Sequence, residues 1–114
     1  MPEKRFPPAL RLRTKRDFAS LRTGKRFSCK GLRFVYRATR TGHARLGLAV
    51  SGKYGTAVQR NRLKRMIREA FRTSRFRTLS VDLIVIPLVS ATEMEDVHGI
   101  MKKALEKIAQ QLEG

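Results

Sequence analysis

Residues 57–72, AVQRNRLKRMIREAFR, constrain this chain more than any other stretch. Leu63, Met66, Ile67, Ala70 and Phe71 recur at i, i+3, i+4, i+7 and i+8, the apolar stripe of a helix seated on a core. The other side carries Arg60, Lys64, Arg68 and Arg72 in an i, i+4 row, with Asn61 and Arg65 beside it and Glu69 as its one acid. Arg62 and Glu69, seven residues apart on the flank, are placed to pair. A merely solvated helix face mixes its charges in i, i+4 pairs of opposite sign. This face repels itself unless something anionic covers it, and its spacing lets it lie along an RNA backbone.

The whole chain points the same way. Lys and Arg number 26 against 9 Asp and Glu, a net charge of +17. Solubility needs only about 2 to 8 net charges on a small domain, and the excess works against compactness. The surplus therefore implies a polyanionic partner. Most of the cations are arginines, whose planar fork takes phosphate bidentately and stacks on bases. Nucleic acid is favoured over an anionic membrane, since no apolar anchor interrupts the polar face of the basic helix.

A chain of 114 residues, 41% of them apolar, suits one domain, residues 1–114, with a real core. Residues 1–13 form a basic arm with Pro2, Pro7 and Pro8. Thr14 can cap a short helix that puts Phe18 and Leu21 on one face, with Gly24 to end it. From Leu32 to Ala38 the pattern alternates: Leu32, Phe34 and Tyr36 on one side, Arg33, Val35 and Arg37 on the other. After a turn at Thr41-Gly42, residues 45–51 alternate again, with Leu46, Leu48 and Val50 opposite the small Gly47, Ala49 and Ser51. The two strands read as a hairpin with one buried and one shallow, open face.

A glycine-bearing loop with Lys53 leads into the basic helix, and Ser80 to Pro87 reads as a buried strand. Thr92 and Glu95 read as a capping box for a last helix presenting Met94, Val97, Met101, Leu105, Ile108 and Leu112. The order is α-β-β-α-β-α, with room for an extra short strand near residues 28–31. It predicts an α+β two-layer sandwich.

Little in the chain suits protein-borne catalysis. The acids are scattered, His43 and His98 each stand alone, and there is no zinc motif or Walker loop. Neither a catalytic residue nor a metal site is expected in the protein. Cys29 is the one cysteine, which suits a reducing compartment. The absence of a signal-like apolar stretch or a membrane-length run makes the cytoplasm the expected location. Charge and size leave a ribosomal or other structured-RNA-binding protein open.

The segment Gly55-Thr56-Ala57-Val58-Gln59-Arg60-Asn61-Arg62-Leu63-Lys64-Arg65-Met66-Ile67-Arg68-Glu69 separates these readings, because it resembles the RNR signature of the bacterial ribonuclease P protein family. Leu12 to Phe18 with Gly24, Phe34-Val35, Arg45 to Ser51 and the strand from Asp82 resemble that family too. The resemblance implies a left-handed β-α-β crossover, an exception to the usual hand. It implies a non-catalytic subunit whose partners are ribonuclease P RNA and precursor tRNA. The RNA would hold the Mg2+ and cut at the tRNA 5′ end, with no further protein partner required. Carried over by position, Lys53, Arg60, Asn61, Arg62, Lys64, Arg65, Arg68 and Arg72 are the implied RNA contacts. Phe18, Val35 and Arg37 would line a cleft for the 5′ leader, floored by Ala49 and Ser51, with core packing the competing role for Phe18. Where the family often has two basic residues, this chain has Gly52-Lys53. Arg37 stands where an aromatic is common, Arg22 sits near another such position, and Pro87 stands where a basic residue is often seen. Leader contacts are accordingly expected to be more electrostatic and less stacked.

Overall fold

The computed structural model describes Leu21 and residues 23–113. The N-terminal arm, most of the predicted first helix, Phe18 and Arg22 lie outside the described residues. Four strands, β1 (Lys25–Cys29), β2 (Leu32–Ala38), β3 (Ala44–Leu48) and β4 (Val81–Pro87), form one sheet in the order β1-β2-β4-β3. Two helices, α1 (Ala57–Arg72) and α2 (Val97–Glu113), pack on each other, α1 also against β3 and α2 against β2. This is the expected two-layer α+β sandwich.

The extra strand is present, longer than expected, and it makes the hairpin. β1 pairs antiparallel with β2, from Lys25 opposite Tyr36 to Cys29 opposite Leu32. The connection is the two residues Lys30 and Gly31, at φ +43° and +93°. Two positive φ values in succession match the right-handed twist of paired strands, and Gly31 takes its value without a Cβ penalty.

The predicted pairing of residues 32–38 with 45–51 does not occur. β4 lies between them, antiparallel to β2 and parallel to β3. The reason is burial: Val81 to Val85 are all buried, so this strand needs cover on both faces and a neighbour on each edge. The turn at residues 39–43 spans the start of β4 instead of closing a hairpin. Thr39 N donates to Ser80 O at 2.9 Å, and Gly42 N to Ser80 Oγ at 2.8 Å. β3, α1 and β4 thus make a parallel crossover, the unit for which the resemblance expects a left hand. Regular strand also stops at Leu48; Ser51 already begins the next loop, accepting from Tyr54 N at 3.1 Å.

The core lies between sheet and helices. Leu32, Phe34, Tyr36, Leu46, Leu83 and Val85 meet Leu63, Ile67 and Phe71 of α1 and Met101, Leu105 and Ile108 of α2. Each such side chain contributes roughly 1.5–3 kcal/mol by leaving water. Phe76, on a 3-10 turn (Arg75–Thr78) that the sequence reading did not anticipate, seals the end of α1 edge-on to Phe71 at 5.7 Å. On the opposite face Leu21 packs on Val35 and Ile84. Gly24 follows where a Cβ would lie 2.6 Å from Tyr36 O, so close backbone approach requires glycine there.

The last helix starts later than expected. Asp96 adopts φ +50°, outside helical geometry, and its Oδ1 accepts from Gly99 N at 3.2 Å. Residues 90–94 instead form a separate turn, with Glu93 N donating to Ser90 O and Ala91 N to Tyr54 O.

Candidate nucleic-acid interface

α1 is set in place at both ends. Thr56 caps it: the Thr56 hydroxyl accepts from Gln59 N at 3.2 Å while Gln59 Oε1 accepts from Thr56 N at 2.8 Å. The preceding loop is pinned by Tyr54, which is buried and raised in pKa by that burial. In the sequence Tyr54 shows only as an aromatic inside a glycine-flanked loop. At the far end Arg75 ties the helix exit to α2 through Glu113 at 2.9 Å and Glu106 at 3.6 Å.

The apolar stripe faces the core as the period requires, leaving Asn61, Arg62 and Arg65 exposed and Lys64, Arg68 and Arg72 half-exposed. Neighbours in the i, i+4 row stand about 6 Å apart along the axis, closer than the ~8 Å screening length of physiological salt. Such a row is also not straight, since four residues turn by about 400°, a drift of some 40° per step. The row therefore winds from the core flank at Arg60 outward to Arg72. Arg60 accordingly turns back on the loop, its Nη1 donating to Gly55 O at 2.7 Å. It braces the glycine loop that presents the exposed Lys53.

Glu69 pairs with Arg72 at 3.6 Å, not with Arg62 as expected. Three residues separate Glu69 from Arg72, less than one turn, whereas Arg62 lies two turns away and lines a groove of about 360 Å³ with Met66, Met94 and His98. Arg62, Lys64 and Arg65 make no ion pair or side-chain hydrogen bond among the described residues. The polar face does hold a large apolar residue, Val58, 67% exposed in the first turn, contrary to the expectation of an uninterrupted basic face.

The sheet face away from the helices is the second basic surface. Strand register sets out its rows: Arg26, Val35, Ile84 and Gly47; Ser28, Arg33 and Ile86; Arg37, Asp82 and Arg45. Val35 is on this face as expected, but Leu21 and Ile84 cover it. Arg37 is exposed beside it. Ala49 is exposed just past β3, its N donating to Val85 O at 3.1 Å, while Ser51 is exposed in the loop that follows. Phe18 lies outside the described residues. Asp82, legible in the sequence only as the start of a strand, is buried and held bidentately by Arg45. Period two does place Arg45 on the face of Gly47, and Asp82 is conspicuous in an apolar run.

Among the described residues no group of three or more His, Cys, Asp and Glu converges as a metal site requires, and no helix is long and apolar enough to cross a membrane. Fold and surface define a class: small, strongly basic α+β sandwiches whose crossover helix turns its cations to solvent.

Within that class the chain belongs to the ribonuclease P protein family, whose model matches residues 6–113. It is similar to the ribonuclease P protein components of Legionella pneumophila (strain Corby), 32% identical over 106 residues, and Chromohalobacter salexigens, 36% identical over 116 residues. The matches cover 91% and 94% of this chain and 93% and 90% of those proteins. Among solved structures it resembles the RNase P proteins of Staphylococcus aureus (TM-score 0.74, 32% identity, 88% of this chain and 94% of that one) and Thermotoga maritima (TM-score 0.70, 33% identity, 85% and 93%).

Proposed function

We propose that this chain is the non-catalytic protein subunit of ribonuclease P, binding the catalytic RNA through α1 and its loop and receiving the 5′ leader of precursor tRNA on the open sheet face. The observation that carries this is the outer surface of α1. Asn61, Arg62, Lys64, Arg65, Arg68 and Arg72 line one side of a helix whose other side is sunk in the core, with Lys53 presented by the loop that Arg60 braces. A rigid cationic helix loses little freedom on meeting phosphates, so its charge serves affinity.

The sheet face supports the leader assignment by its shape. Gly47, Ser28 and Ala49 keep it low, and Arg26, Arg33, Arg37 and Arg45 make it electropositive, a form suited to unpaired nucleotides. In this reading the Mg2+ and the hydrolysis belong to the RNA. The protein's residues bind and orient, and the cytoplasm is where both RNAs are met.

Reconstitution tests it. Added to a bacterial ribonuclease P RNA at low Mg2+, the chain is expected to restore release of the 5′ leader from precursor tRNA. Tight RNA binding without stimulation would favour a general structured-RNA-binding role. Mg2+-dependent cleavage by the protein alone would place an active site in the protein.

A further inference from the structure

The open sheet face carries an acid where a polyanion-binding surface has reason to exclude one. Asp82 has no exposed surface, and its strand register aligns it with Arg37 on β2 and Arg45 on β3 in one row. Its Oδ1 accepts from Arg45 Nε at 2.9 Å and its Oδ2 from Arg45 Nη2 at 2.8 Å, while 28% of the Arg45 side chain stays at the surface. Stability alone does not call for this pair, because well-packed apolar residues in place of a buried ion pair are often as stable or more so. An apolar pair, however, cannot orient a guanidinium. Two parallel N–H···O bonds fix the plane of the fork, so Arg45 meets a ligand without first losing its side-chain freedom.

We propose that Asp82 is a positioning residue for the leader. It holds Arg45 in a fixed pose across the row from Arg37, so that the two arginines contact the leader's phosphates from either side of a recessed carboxylate. The inference rests on the leader reading of this face. Adjacent strands are about 4.8 Å apart, which puts Arg37 and Arg45 roughly 10 Å apart across the sheet. The carboxylate between them is buried and turned to Arg45, out of a phosphate's reach.

The sign of one substitution separates this from simple electrostatics. Asp82→Asn removes a negative charge from a polyanion-binding face, so the field alone predicts tighter leader binding, whereas positioning predicts weaker. The measurement uses holoenzyme assembled from this chain and a bacterial ribonuclease P RNA, and compares its affinity for precursor tRNA and for mature tRNA. Their ratio is the leader's contribution.

Asp82→Asn is expected to lower that ratio about three- to tenfold with mature-tRNA affinity unchanged, the net scale of one ordinary hydrogen bond. Arg45→Gln is expected to do the same, and the double variant to fall no further than Arg45→Gln alone. A ratio unchanged or raised by Asp82→Asn overturns the proposal, as does an additive loss in the double variant. Should Asp82→Asn fail to fold, Arg45→Lys decides. Lysine keeps the charge without the bidentate fork, so a reduced ratio supports positioning and a wild-type ratio overturns it. If the wild-type holoenzyme binds both tRNAs equally, the leader reading itself falls and this inference with it. Discrimination in the wild type that survives Asp82→Asn removes only the inference.

Discussion

Neutralising two cations on α1 gives the most direct measure of what that helix binds. Arg65 and Arg68 stand three residues apart, about 4.5 Å along the axis and some 60° around it, on the side away from Leu63, Ile67 and Phe71. Replacing both by Gln keeps helix propensity and leaves the buried stripe untouched. Each phosphate contact releases condensed counterions and contributes about 0.9 to the slope of log affinity against log salt on a duplex, or about 0.7 on a single strand. The double variant should therefore lose about 1.4 to 1.8 from the slope. Between about 50 and 200 mM salt, 0.6 log units, its deficit against wild type should shrink roughly seven- to twelvefold, or about 1.2–1.5 kcal/mol. Filter binding or anisotropy with ribonuclease P RNA across that range reads this directly. A weaker affinity with an unchanged slope would refute the reasoning, since the arginines would then act other than through phosphates. Unchanged affinity would remove them from the interface.

Three further outcomes concern the scaffold. Thr56→Ala breaks the reciprocal cap with Gln59 and should cost about 1 kcal/mol in denaturant titration; no measurable loss would mean that the loop holds α1 without it. Phe76→Ala empties a fully buried site against Phe71 and should cost about 3–5 kcal/mol, a large share of a small domain's stability, as a melt would show. Tyr36 is raised above its ordinary 10.0 by burial, and its hydroxyl donates to Gln111 Oε1. A raised folded-state pKa means the stabilisation is complete below pH 10 and is lost as pH climbs through the folded value. Tyr36→Phe should therefore cost about 1 kcal/mol at neutral pH and flatten the alkaline fall in stability, and an equally steep fall would assign it to other groups.

How far the sequence reached can be seen element by element. Alternation and helical period are local properties of the chain, and they placed α1 at residues 57–72, β2 at 32–38 and the buried strand that became β4. The same periodicity told the buried stripe of α1 from its charged side, and family resemblance put names to the residues on that side. The outward Asn61, Arg62 and Arg65 were legible for this reason, since a helix docked by one face must show the other.

Strand partners were not legible, because they depend on residues far apart in the chain. β4 enters between β2 and β3 because a strand buried on both faces belongs at the centre of the sheet, and short-range pattern carries no record of that insertion. Glu69 chose Arg72, and Arg60 turned to the Gly55 carbonyl, through geometry that a helical wheel flattens. Asp82 is the clearest case. The sequence by itself determined that an acid, Asp82, stood in an apolar strand and that Arg37 and Arg45 stood in two earlier strands. Only the tertiary structure decided that β4 lay between those arginines, because register, set by long-range backbone pairing, put Asp82 and Arg45 side by side where a buried carboxylate must find its partner.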